Sequence, residues 1–192
     1  MVISTQVKPL TLEDFLARPE TKPASEYIKG EITQKPMPKR RHSCLQYEVC
    51  HAINQITKAS KIAYAFPELR CSFGNRSLVP DIAIFQWENI PFLANGEVPD
   101  RFDLPPNWVI EILSPEQKPN KVIGNILYCI EQESELGWFV DPDDHSVLIF
   151  SRDRQPRLVE GKQPLPTLTN IPLKITANDL FGLLKMGSPK VD

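Results

Sequence analysis

The sequence has no long apolar run, no paired cysteines and no surplus of basic charge. Each absence closes off a class of function. A helix needs about 20 consecutive apolar residues to cross a bilayer, so no membrane span is expected. The segment MVISTQVKPLTLEDF lacks a basic flank followed by an apolar stretch, and no signal peptide is expected either. The four cysteines, Cys44, Cys50, Cys71 and Cys129, are scattered without a CxxC pair. The spacing of Cys44 and Cys50 does not suit a metal site on one helix face. Reduced thiols in a cytoplasmic protein follow, most of them packed in the core. A formal net charge of −2 argues against diffuse affinity for nucleic acid, so any contact with a polyanion must come from a local patch. Neither an internal repeat nor a low-complexity segment is present, and no helix-turn-helix or zinc-finger pattern places base-contacting side chains.

What is there is ordinary for a globular domain. The 192 residues are 41% hydrophobic and 24% charged, enough for one domain over 1–192 with its core at about 25–183. TLEDFLARPE predicts a short helix with Thr11 as N-cap and Pro19 as its stop. YIKGEITQKPMP predicts a hairpin that turns at Gly30 and ends at Pro36 and Pro38. Leu45, Val49, Ile53 and Ile56 recur at helical spacing and predict a helix over about 40–60, with Ser43 and Gln46 in capping-box positions near its start. Strands are expected at 69–73, 79–85 and 108–113. Between the last two, residues 86–107 form a loop with four prolines, and loops of that length are uncommon unless functional. Val122, Ile126, Cys129 and Ile130 mark a second helix over about 117–133. LGWFVDP and HSVLIFSR predict two more strands, and LPTLTNIPLKITANDLFGLL a strand and a terminal helix. This order gives an α/β fold, a mixed sheet flanked by helices with an N-terminal hairpin.

Two of the apolar strands each carry one carboxylate. In LVPDIAIF it is Asp81, and in WVIEILSP it is Glu111. Side chains alternate faces along a strand, so Asp81 shares a face with Ala83 and Phe85, and Glu111 one with Val109 and Leu113. Taken singly, such an Asp is a turn or cap residue and such a Glu an ion-pair partner. In neighbouring strands the two acids approach each other, and partly buried they repel unless a proton or a cation stands between them. Oxygen ligands of this kind suit Mg²⁺ or Mn²⁺, with water and a substrate phosphate completing the shell.

The VPD string, the WVIEILSP segment, the following helix and LGWFVDP resemble, in that order, the Uma-type family of putative restriction endonucleases in the PD-(D/E)XK nuclease superfamily. The likeness runs from about SEYIKGEI to ANDLF and includes the GEI hairpin, KPMP and a histidine opening the helix. It implies a restriction-endonuclease-like core and a metal-dependent endonuclease acting on DNA. It also implies Asp81 and Glu111 as metal ligands, with the carbonyl of Ile112 as a third. The superfamily pattern places a lysine two residues after the acid, where this chain has Leu113. A replacement position on the following helix matches Gly124, which is not a lysine either. Lys121, three residues earlier, shares a helix stripe with Gln117, Asn125 and Tyr128 and is the expected charge stabiliser, with Lys118 as the other choice. The ordinary home of both is a solvated helix surface. Glu31 and His42 match further family positions and are additional site residues on this reading.

Lys35, Lys39, Arg40 and Arg41 precede or open the long helix. Basic residues there oppose the helix dipole unless an anion is held, so they read as contacts to a DNA backbone or as a solubilising loop. The rival to an active enzyme is a nuclease fold that has lost its chemistry and binds DNA or a protein partner, with Leu113 and Gly124 in its favour. RNA or branched DNA are further substrates to weigh, and a homodimer is expected by analogy with nucleases that cut both strands.

Overall fold

A computed structural model describes residues 9–187 of the chain. Residues 1–8, on which part of the signal-peptide reading rests, lie outside the described residues. In chain order the elements are α1 (Leu12–Leu16), β1 (Ser25–Ile28), β2 (Glu31–Gln34), α2 (Arg40–Thr57), β3 (Ala63–Pro67), β4 (Cys71–Phe73), β5 (Arg76–Leu78), β6 (Ile82–Gln86), β7 (Trp108–Ile112), α3 (Pro119–Glu131), β8 (Leu136–Asp141), β9 (Ser146–Ser151), β10 (Arg157–Glu160) and α4 (Ala177–Gly182).

The strands form two sheets. The larger runs β10-β9-β8-β7-β6-β3, and the smaller runs β2-β1-β5-β4. Among the named strands of the described residues, only β7 and β8 pair in parallel; α3 is the crossover between them. The expected α/β architecture with a mixed central sheet is therefore present, and the hairpin forms part of the second sheet. Lys29 and Gly30 turn that hairpin with φ of 51° and 88°, a left-handed pair for which glycine is the natural second residue.

Alternation along β6 and β7 sorts the core into two layers. Ile82, Ile84, Trp108, Ile110 and Ile112 pack with Leu45, Val49 and Ile53 of α2 and with Leu180 and Phe181 of α4. Ala83, Phe85 and Val109 face the other way, into Val122, Ile126 and Cys129 of α3 and Phe73 of the small sheet. The α3 helix sits so close to β8 that a Cβ at Gly137 would lie 2.4 Å from Ile126 Cγ2. Glycine is required there by contact rather than by backbone angle.

Several boundaries differ from those expected. The strand foreseen at 79–85 begins only at Ile82, because Pro80 has no N–H to donate to the ladder and the Asp81 carbonyl accepts from Gln46 Nε2 at 2.8 Å. Ser43 does not cap α2: the N-cap is Lys39, without a side-chain bond, and Gln46 turns inward instead. No named strand forms in the tail before α4. Pro164, Pro166 and Pro172 deny it donors, and one isolated bridge, Pro164 to Thr176, remains. The sequence pattern missed β3, β5 and β10, which are three to five residues long and too short for a clear period. The 86–107 segment is pinned by Phe102, which is 2% exposed and packs 5.1 Å from Phe85 and 5.3 Å from Phe66, ring centre to ring centre.

Candidate active site

β6 and β7 pair antiparallel with Ile82 opposite Ile110. One step outward, the same register sets Asp81 opposite Glu111, and there the ladder stops. The strands part at two carboxylates that are 1% and 2% exposed. Asp81 Oδ2 fills the place of the missing ladder acceptor, taking the Ile112 N–H at 2.7 Å.

A lysine enters this gap from the connection between β2 and α2. Lys35 Nζ lies 2.7 Å from Asp81 Oδ1 and 3.5 Å from Glu111 Oε2, and it donates to the Val79 carbonyl at 2.7 Å. From the first turn of α2, His42 Nε2 stands 3.3 Å from Asp81 Oδ1, and its Nδ1 lies 3.1 Å from Ser114 Oγ. From β1 comes a third buried acid. Glu26 Oε1 accepts the Val79 N–H at 2.9 Å and Oε2 accepts from Asn125 Nδ2 at 3.2 Å.

The charges decide one another's state. Burial alone would push Asp81 up, but the Lys35 ammonium and the His42 hydrogen bond overcome it and hold the carboxyl well below its usual range. Burial dominates at Glu111 and at Glu26. Both are raised, Glu111 well above the ordinary value, although Lys35 pulls each of them down. Lys35 itself is raised: burial disfavours its charge, and Asp81, Glu111 and Glu26 more than offset that. The site is thus three acids arranged around one ammonium, with Asp81 firmly ionised. The Lys35 ammonium supplies the positive charge that these buried acids need.

The gap is reached by two clefts. One, of about 230 Å³, is lined by Glu26, Lys35, Glu111, Gln117, Lys121 and Asn125. The other, of about 370 Å³, includes Lys35, His42, Asp81, Ser114 and Gln117. Beside them a groove of about 500 Å³ holds Lys39, Arg40, Arg41 and His42.

The expected residues divide accordingly. Asp81, Glu111, Ile112 and His42 come together. Lys121 is exposed on the cleft wall, and the lysine that touches the carboxylates is Lys35. Lys35 is therefore corrected from a surface phosphate contact to a member of the acidic site: it follows directly on β2, and its side chain turns inward to the two acids. Glu31, at the start of β2, is exposed and absent from both clefts, because the hairpin places Glu26 there instead. Lys39 and Arg41 lie on the rim, paired with Glu116 at 2.8 Å and Asp143 at 2.6 Å, and Arg41 also donates to the Pro142 carbonyl. Arg40 is exposed beside them. Gly124 borders open space, since a Cβ there would meet nothing within 4 Å. Glu26, Gln46 and Ser114 were not foreseen. Glu26 carried a weaker signal than Glu111, since only Tyr27 and Ile28 of its strand are apolar, and Gln46 and Ser114 carried none.

Among the described residues no group of three or more His, Cys, Asp or Glu side chains is arranged to hold a metal ion. No helix of the described residues is long and apolar enough to cross a membrane. All four cysteines are free thiols, three of them buried.

The Uma2 family profile, described as "Putative restriction endonuclease", matches residues 12–177. A crystal structure of a putative nuclease belonging to DUF820 from Anabaena variabilis superposes with a TM-score of 0.90 at 44% identity, covering 92% of this chain and 99% of that one. No curated protein matches the sequence.

Proposed function

The chain belongs to the Uma2 family of putative restriction endonucleases, and from that premise we propose that it is a divalent-cation-dependent nuclease hydrolysing phosphodiester bonds in DNA. The observation that carries the reading is the pair of buried carboxylates, Asp81 and Glu111, set at the point where β6 and β7 part.

The residues fit a hard cation. Asp81 and Glu111 offer oxygens, and an ammonium already stands between them, which marks the gap as a place that needs positive charge. In extended backbone the N–H and C=O of one residue point to the same side. The Ile112 N–H faces Asp81, so the Ile112 carbonyl lies on that strand edge as well. Two carboxylates and a carbonyl suit Mg²⁺ or Mn²⁺, with water and a phosphate oxygen making up the rest. When bound, such an ion lowers the pKa of water and neutralises charge on the phosphoryl group.

The chain's own groups do the rest. Asp81 is kept ionised by Lys35 and His42 and is oriented by the Ile112 amide. Ser114 fixes the ring of His42. Gln46 ties the Asp81 backbone to α2, so the ligand side chain rides on a rigid helix. Lys121 on the cleft wall, with Lys39, Arg40 and Arg41 on the rim, supplies positive charge along a path for the phosphate backbone. In the reaction the oxygen of water bonds to phosphorus while the bond from phosphorus to one sugar oxygen breaks. Water loses a proton and the departing oxygen gains one, giving a phosphomonoester and an alcohol.

The test is nicking of supercoiled plasmid with Mg²⁺, Mn²⁺ or EDTA, beside an Asp81→Ala/Glu111→Ala variant. Metal-dependent nicking that disappears in the variant is the expected result. Equal background in both proteins, on duplex, single-stranded and RNA substrates alike, would sink the nuclease reading. It would favour a binding module, whose support is that Lys35 already satisfies the two acids.

A further inference from the structure

A phosphodiester under attack gathers negative charge on its non-bridging oxygens, and a fixed cation there lowers the barrier. This chain has no lysine at Leu113 or at Gly124. Lys121 is exposed on α3 and makes no ion pair with Asp81 or Glu111, whereas Lys35 lies within 3.5 Å of both. Lys35 also lines both clefts that open onto the site, so a phosphate in either would find it. Its side chain is 13% exposed, its ammonium held by the Val79 carbonyl and one Asp81 oxygen, with the Glu111 oxygen farther off.

We propose that Lys35 is the catalytic lysine of this site, delivered by the β2–α2 connection. It satisfies Asp81 and Glu111 while no divalent ion is bound, yields Asp81 Oδ1 to the ion, and then donates to a non-bridging oxygen of the scissile phosphate. This rests on the nuclease reading above. Like charge drives the exchange: an ion bound by the two carboxylates repels the ammonium, and the four-carbon stem lets Nζ move toward the cleft while the backbone stays in place. Lys35 remains protonated throughout. The proton lost by water and the one gained by the departing oxygen exchange with solvent, and Lys35 neither gives nor takes one.

The experiment compares full-length wild type, Lys35→Met, Lys35→Arg, Lys121→Met and Asp81→Asn. Ca²⁺ affinity is read by calorimetry, plasmid nicking with Mn²⁺ by rate, and far-UV circular dichroism with Ca²⁺ present checks that each protein is folded. Lys35→Met should bind Ca²⁺ on the order of tenfold more tightly, since its competitor is gone. It should nick about 100-fold more slowly, with the loss in kcat, and Lys35→Arg should recover part of the rate. Lys121→Met should keep wild-type Ca²⁺ affinity and show its effect in KM, as a backbone contact does. Nicking by Lys35→Met at the wild-type rate would overturn the proposal. So would unchanged Ca²⁺ affinity, or a kcat loss confined to Lys121→Met. If wild type and Asp81→Asn nick alike, the nuclease reading itself has failed. Tighter Ca²⁺ binding by Lys35→Met would then leave Lys35 as an occupant of the cation position and refute its catalytic role.

Discussion

Replacing Lys35 by methionine keeps the stem and removes the charge. What remains is Asp81 and Glu111, 1% and 2% exposed, with Glu26 beside them at 5%. Removing one partner of a buried charge set costs about 3–5 kcal/mol. Asp81 keeps the Ile112 amide and His42, and Glu111 can take up a proton, so the loss at neutral pH should sit near the lower end, about 3 kcal/mol. That is a large part of a domain stability of about 5–15 kcal/mol. Two agents should return it. Without Lys35 the Glu111 carboxyl, already raised by burial, rises further. A raised carboxyl gives stability back as pH falls through its folded value toward the ordinary 4.5, so the deficit of Lys35→Met should shrink on mild acidification. A divalent ion should also return about 2.7 kcal/mol when present at about 100 times its Kd. The assay is urea unfolding followed by circular dichroism, at alkaline, neutral and mildly acid pH, with and without Ca²⁺. A loss below about 1 kcal/mol at neutral pH would place the pair among solvent-screened ion pairs. A deficit that grows on acidification would refute the electrostatic account outright.

Three further outcomes follow from the same geometry. Gly124→Ala should raise stability by about 1 kcal/mol, since its Cβ enters open space and alanine favours the helix; a lower melting temperature would count against this. Gly137→Ala should cost about 1–3 kcal/mol, because its Cβ would lie 2.4 Å from Ile126 Cγ2, and Ile126→Ala in the same chain should recover part of that in a double-mutant cycle. Wild-type stability should climb as pH falls toward 4.5, where Glu26 and Glu111 protonate earlier in the folded chain than in the unfolded one. It should drop once pH passes below 3.8, where Asp81 resists protonation. Glu111→Gln should flatten the climb, and a climb of the same size in that variant would show that Glu111 is not its source.

Much of the frame is legible without coordinates. The 40–60 helix and α3 show in their apolar periods because each buries one face, and β7 and β8 show as near-continuous apolar runs because each is buried on both. Asp81 and Glu111 are legible because an acid within a buried apolar run is costly unless something compensates it. The short strands β3, β5 and β10 hold too few residues to show a period, and the prolines of the tail outweigh its apolar residues.

The identity of the compensating charge is a different matter. Lys35 lies 46 residues from Asp81, and Glu26 reaches an amide 53 residues away. With 22 Lys and Arg in the chain, no local pattern says which of them neutralises the pair. KPMPKRRH reads as a run of surface charge, and Lys39, Arg40 and Arg41 do stay on the rim. Lys35 turns inward because β1 pairs with β5, which carries the end of the hairpin to the point where β6 and β7 part. The sequence by itself determined the two long helices, the central apolar strands and the two acids, since those follow from interactions between near neighbours. Only the tertiary structure decided that Lys35 rather than Lys121 meets the acids, and that Glu26 rather than Glu31 joins them. Coulomb attraction depends on distance in space, and the docking of one sheet on the other sets that distance.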